Sequence, residues 1–276
     1  MSLARIESHY LPVATGVTLH YLEKGEGKPL VFVPGLSFPG ELFEAQIEYF
    51  SACYRVLALD PRGQGLSAKT VDGNDYQTHG RDLAAFLEKL DLTDVVLVGW
   101  NTGCLEIWSY VRQFGAERLR AIVVTDQPPT PLARREGDWS AGELNTLAPV
   151  ASTLLTTPVG CRTFFAACIK DVMVQRPPEA AELEYLLDLS GRTPYWITKT
   201  LYCDAILSDY GEAAAAAAAR VPSLMFVADR WQDTVLPYVK AHMPGCETCV
   251  MPSGLMFYEL PDIWNAALES FLNRLL

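Results

Sequence analysis

The residues best placed to do chemistry are Gly99-Trp100-Asn101-Thr102-Gly103, which follow the apolar run Val95–Val98 and open a segment of helical character. Two glycines four apart at a strand-to-helix junction make a sharp turn that presents its middle side chain to a bound molecule. In an enzyme built on such a turn that side chain is the nucleophile, but here it is Asn101. A carboxamide is not a useful nucleophile at neutral pH. It can donate through its N–H₂ group or accept through its oxygen, so its natural task is to orient a carbonyl or hydroxyl.

The elements that must position this turn read clearly. Residues 4–13 and 17–24 alternate like an antiparallel hairpin, and apolar runs follow at Leu30–Pro34, Tyr54–Asp60, Val95–Trp100, Ala121–Asp126, Ser223–Ala228 and Thr248–Pro252. Helix-period segments around Glu41–Ala52 and Tyr76–Leu90 separate the early runs. Uninterrupted apolar strands alternating with helices predict an α/β protein with a mostly parallel, eight-stranded sheet covered on both faces. The final helix carries one apolar stripe through Ile263, Trp264, Ala267, Leu268, Phe271, Leu272 and Leu275.

Between the sixth and seventh strands lies a helical insertion, with segments at Ala141–Leu154, Cys161–Val174, Ala180–Leu189 and Tyr195–Ser208 punctuated by prolines. The reading is a core of residues 1–127 and 221–276 with a cap of residues 128–220 over the strand ends. The Ala213–Ala219 run is a connecting helix with little side chain for recognition. No repeat or linker separates the parts, so cap and core are expected to act as one cooperative unit.

Composition narrows the function classes. The chain has 276 residues, half of them apolar, and a formal net charge of -11, which argues against nucleic acid and anionic membrane as partners. No run of about 18 apolar residues suggests a membrane span. Met1–Ala14 mixes charge and polarity, so the expectation is no secretory leader and a cytoplasmic location. Seven scattered cysteines fit reduced thiols, and the Cys246-Glu-Thr-Cys249 spacing has no second pair to make a metal site. Neither a metal nor a nucleotide cofactor is expected, since the Gly99/Gly103 spacing is also wrong for a dinucleotide fingerprint.

Four segments together resemble the α/β-hydrolase fold with a helical cap, from end to end: Phe32-Val-Pro-Gly-Leu36, Asp60-Pro-Arg-Gly-Gln-Gly-Leu-Ser67, Gly99–Gly103, and Ser253-Gly-Leu-Met-Phe-Tyr-Glu259. The resemblance implies an oxyanion hole made by the main-chain N–H groups of Leu36 and Thr102. It places the family's nucleophile at Asn101 and its histidine, five residues before Glu259, at Gly254. None of His9, His20, His79 and His242 lies in a segment expected to reach the turn, and structural or solvated roles are expected for them. The acid member falls on Asp233, four residues before Pro237, or on Asp126 at the end of the sixth strand. Cap and flanking residues Trp139, Phe164, Phe165, Trp196 and Tyr202, with Trp100, Ser37 and Gly254, are the candidates to line a pocket for a small apolar organic molecule. A homodimer is left open.

Loss of the serine and the histidine argues against an acyl-enzyme. The reading put first is therefore a non-hydrolytic catalyst (a cyclase, isomerase or lyase-type tailoring enzyme) in which Asn101 and the oxyanion hole orient a carbonyl. Two alternatives stand beside it. One is a receptor-like protein that only binds a ligand. The other is a hydrolase of ester-like substrates by an unusual route, for example through deamidation of Asn101 to Asp.

Overall fold

A computed structural model describes residues 5–135 and 138–275 of the chain. Strands β1 (Glu7–Ala14), β2 (Val17–Lys24), β3 (Lys28–Val33), β4 (Tyr54–Asp60), β5 (Val95–Trp100), β6 (Leu119–Thr125), β7 (Ser223–Ala228) and β8 (Cys246–Met251) form one sheet. Their order is β1-β2-β4-β3-β5-β6-β7-β8. The β1–β2 and β2–β4 pairs are antiparallel and the others parallel. Strands β3 and β5 sit in the middle of the sheet. Every residue of β5 is buried, which is why that run is apolar without alternation.

Helices alternate with the strands: α1 (Glu44–Phe50), α2 (Tyr76–Lys89), α3 (Gly103–Phe114), α4 (Leu144–Pro149), α5 (Pro158–Cys168), α6 (Ala180–Gly191), α7 (Tyr195–Leu207), α8 (Gly211–Arg220), α9 (Gln232–His242), α10 (Met256–Glu259) and α11 (Pro261–Asn273). Asp75 caps α2 by accepting from the Thr78 N–H at 2.7 Å, a contact of the kind that contributes roughly 1 kcal/mol. Two wide π turns, Val150–Leu154 and Ile169–Met173, extend α4 and α5. Helices α4 to α7 form the cap. The last helix before the chain re-enters the sheet, α8, packs on α3 through Ala213, Ala214, Ala217 and Ala218 and so belongs to the layer over the sheet. Small side chains let the two helices approach.

The Asp60–Ser67 turn is a structural anchor. Asp60 accepts from the Gly40 and Leu66 N–H groups at 2.6 and 2.7 Å and pairs with His20 Nδ1 at 2.8 Å. His20 Nε2 in turn meets Ser8 Oγ at 2.8 Å. This is a Ser–His–Asp relay in form, but Ser8 stands exposed on the edge strand β1. Its consequence is to tie β1, β2 and β4 together. Of the histidines, for which structural or solvated roles are expected, His79 takes a structural one: it is buried between α2 and α3, with Nδ1 at 2.8 Å from Glu106 Oε1. His9 pairs with Glu7 and His242 lies against Tyr238. Cys246 and Cys249 are three apart on β8. Alternate side chains of a strand point to opposite faces, so the two thiols diverge. No described helix is long and apolar enough to cross a membrane.

Candidate active site

Strand β5 ends at Trp100 and α3 begins at Gly103, leaving Asn101 and Thr102 to make the whole turn. Asn101 takes a left-handed conformation, φ 51°, which Asn tolerates better than most side chains. Its N–H donates to Thr125 O at 3.0 Å and its carbonyl accepts from Cys104 N at 2.9 Å. The turn must also pass close under the β3 loop. A Cβ at position 103 would lie 2.3 Å from Val33 O and 2.7 Å from Pro34 O, so only glycine fits. Ser37 and Asp126, also near the strand ends, have φ 68° and 53°. Non-glycine residues held in this region cluster at functional sites.

Asn101 opens into a cavity of about 190 Å³ whose lining includes Leu36, Trp100, Thr102, Asp126, Arg230 and Gly254. Its far wall is apolar cap: Phe164, Phe165, Cys168, Val172, Met173, Tyr202, Ala205 and Ile206. The main-chain N–H groups of Leu36 and Thr102 donate to no acceptor among the described residues. The Asn101 carboxamide likewise makes no hydrogen bond to a described residue. These are the free donors of the site. Burial pushes the Cys168 thiol and the Tyr202 hydroxyl each up to about 12, so both stay protonated, and Tyr202 donates to Leu147 O at 3.1 Å. Cys104 is buried inside α3, its thiol also pushed far up by burial.

The histidine position explains itself in three dimensions. A Cβ on Gly254 would lie 2.8 Å from Asp126 Oδ2, 2.9 Å from Arg230 Nη2 and 3.4 Å from Val172 O. An ion pair, Arg230 to Asp126 at 3.1 Å, thus fills the space a larger residue would need. Arg230 also donates through Nη1 to the Val172 carbonyl of the cap, and Trp100 Nε1 donates to Gly254 O at 2.9 Å. Burial raises the Asp126 carboxyl above the usual range; the Arg230 guanidinium and the Ala228 N–H, at 3.3 Å from Oδ1, partly offset that.

Of the residues expected at the site, Asn101, Asp126, Leu36, Thr102, Trp100, Phe164, Phe165, Tyr202 and Gly254 line this cavity. The others do not. Asp233 is exposed in the first turn of α9, where a carboxylate favours the helix N-terminus, and of the two acid candidates only Asp126 lines the cavity. Ser37 is buried behind the β3 loop, bonded to Thr198 at 2.8 Å. Trp139 is buried edge-on to Tyr238, 5.5 Å between ring centres. Trp196 faces a second cavity. Sequence reasoning missed Arg230, which is one residue in an otherwise solvated loop; nothing local marks it.

Residues 28–148 match the family described as alpha/beta hydrolase fold. The non-heme chloroperoxidase of Kitasatospora aureofaciens is 35% identical over 130 residues, covering 46% of this chain and 47% of that protein. The chain thus spans about half the length of the curated relatives it matches. Among solved structures, the bromoperoxidase of Bacillus anthracis has a TM-score of 0.87 at 21% identity, covering 97% of this chain and 100% of that one. The esterase of Exiguobacterium antarcticum has a TM-score of 0.85 at 18% identity, again covering 97% and 100%. These relatives overturn the expectation of a cyclase, isomerase or lyase-type reaction, which rested on the loss of side chains alone: they bear haloperoxidase and esterase names. Sheet order, the strand-turn-helix at Asn101 and these matches together give the chain the α/β-hydrolase fold, with residues 28–148 matching that family.

Proposed function

We propose that the Asn101 cavity binds a small, apolar ester or lactone and hydrolyses it by direct attack of water, with no acyl-enzyme. The observation that carries this reading is that two unpaired main-chain N–H groups, at Leu36 and Thr102, and one buried carboxylate, Asp126, line a single cavity. The names of the relatives, esterase and enol-lactonase among them, support the same reaction class.

The substrate carbonyl oxygen lies against the Leu36 and Thr102 N–H groups, and Asn101 donates to it or to the neighbouring ester oxygen. Asp126 takes a proton from a water molecule as that water's oxygen bonds to the carbonyl carbon. The two N–H groups and the α3 dipole stabilise the oxyanion. The intermediate then expels the alcohol oxygen, which receives the proton back from Asp126. One ester and one water give one acid and one alcohol. Burial makes Asp126 a stronger base than an ordinary carboxylate, and Arg230 holds it in place.

The rate should be modest. Oxyanion hole and binding alone leave roughly 10³–10⁴ over water in a protease stripped of its triad, and a positioned base adds about 10²–10⁴. Phenyl esters, with a good leaving group, are the substrates to try. The expected result is turnover without a burst, lost in Asp126→Asn, with intact mass showing no covalent adduct. Binding of phenyl acetate with full recovery of the ester would contradict the reading and favour a protein that only binds.

A further inference from the structure

A second cavity, of about 450 Å³, lies in the cap and is lined by Cys161, Leu187, Gly191, Thr193, Trp196 and Thr198 among others. Phe165 belongs to the linings of both cavities. The two are laid out along the same pair of helices. On α5 the lining runs from Cys161 through Phe165 to Cys168 and on to Val172; on α7 it runs from Tyr195 through Thr198 and Tyr202 to Ala205. Steps of three and four keep these side chains on one face of each helix. The eleven residue steps from Cys161 to Val172 span about 16 Å at the helical rise of ~1.5 Å per residue. The buried Phe165 ring stands midway, edge-on to Phe38 at 5.7 Å and to Phe164 at 5.2 Å.

We infer that the two cavities are the halves of one ligand channel divided by the Phe165 ring. The second chamber receives the uncharged apolar tail of an elongated carbonyl compound, and Phe165 sets how long a tail is admitted. This rests on the carbonyl-binding reading of the Asn101 cavity. Size supports it: pockets for drug-sized ligands hold about 300–1,000 Å³, a range the Asn101 cavity of about 190 Å³ misses and the joined channel reaches. The chemistry of the second lining supports an apolar tail. Ser190 and Thr193 donate to Leu187 O and Ser37 O, and Thr198 is bonded to Ser37 Oγ. Arg162 is held by Glu184 and Asp188. The Ser190, Thr193 and Thr198 hydroxyls and the Arg162 cation are thus engaged, leaving the surfaces of Cys161, Leu187 and Trp196 to meet the ligand.

Alkyl phenyl ketones from acetophenone to octanophenone carry the carbonyl but are not hydrolysed, so their Kd, read by tryptophan fluorescence, tests the channel apart from turnover. In the parent protein affinity should stop rising once the first chamber is full, where free burial would add about fourfold per methylene. Phe165→Ala should bind octanophenone at least tenfold tighter than the parent, with the affinity ratio of octanophenone to acetophenone rising at least as much. Gly191 lines the second chamber, and a Cβ there meets nothing within 4 Å, so Gly191→Trp has room for its ring and, seated in that chamber, should remove the gain when added to Phe165→Ala. Equal change across the series, a gain that survives Gly191→Trp, or no ketone binding to any variant would overturn the inference. Length-dependent binding with no turnover of phenyl esters would overturn the hydrolytic reading alone.

Discussion

At the scale of single residues, the proposed reaction depends on one carboxylate, Asp126, because the positions that the α/β-hydrolase resemblance gives to a nucleophile and a histidine hold Asn101 and Gly254. Asp126 acts as a base only when ionised, so kcat/KM should rise with pH through its pKa, above the usual carboxylate range because burial raises it. Arg230 pulls that value down. Arg230→Gln should therefore move the acid limb of the kcat/KM profile to higher pH, a shift that a merely structural arginine would not produce. The ion pair also blocks a simple restoration of a serine and a histidine at positions 101 and 254. Asn101→Ser with Gly254→His should give no acyl-enzyme burst, because the new side chain starts 2.8 Å from Asp126 and 2.9 Å from Arg230; adding Arg230→Ala frees the space, and a burst should then become measurable with 4-nitrophenyl acetate. The nucleophile and histidine positions were legible in the sequence because each sits in a local motif. Arg230 was not, because residues 126, 172, 230 and 254 meet only in the folded chain.

At the scale of elements, the turn and the helix behind it are held by features that spacing alone half reveals. Gly103→Ala would drive a Cβ into two main-chain oxygens of the β3 loop, and overpacking of this kind costs about 1–3 kcal/mol. A fall of that size in urea-unfolding stability is expected, with loss of the cavity. Behind the turn, α3 and α2 share the buried His79–Glu106 pair. Burial lowers the His79 pKa, but the Glu106 carboxylate outweighs it and the net shift is upward. Burial raises Glu106, with His79 offsetting part. Both groups therefore bind protons more tightly in the folded state, so stability falls as pH rises. The His79 contribution is complete below its unfolded value of 6.5 and is lost as pH passes through the raised folded value. The urea midpoint of the parent should drop above pH 6.5 more steeply than that of His79→Gln with Glu106→Gln. The apolar periodicity of the cap named Phe164, Phe165 and Tyr202, which line the Asn101 cavity, together with Trp139 and Trp196, which do not. Periodicity tells which face of a helix is covered; it does not tell which neighbour or which cavity covers it.

At the scale of the whole molecule, the cap and core are fastened together beside the site. Leu255 N–H donates to Met173 O at 2.7 Å, Glu259 accepts from the Gln175 and Arg176 N–H groups, and Arg230 spans from Asp126 to Val172. These contacts hold the cap to the core on the side of the cavity where Gly254 sits. The sheet was readable from sequence because its central strands are buried on both faces and so are unbroken apolar runs. The cap boundary was less so, since α8 looks like cap by position and is core by packing. The account turns on whether a carboxylate can replace a nucleophile in this pocket. The most direct measurement is steady-state hydrolysis of phenyl acetate, corrected for the uncatalysed rate, by the parent protein and by Asp126→Asn of equal thermal stability. Turnover in the parent that falls by about 10²–10⁴ in the variant, with no adduct on either protein by intact mass, is the predicted result. Equal rates in the two, or an acyl group trapped on the chain, would contradict it.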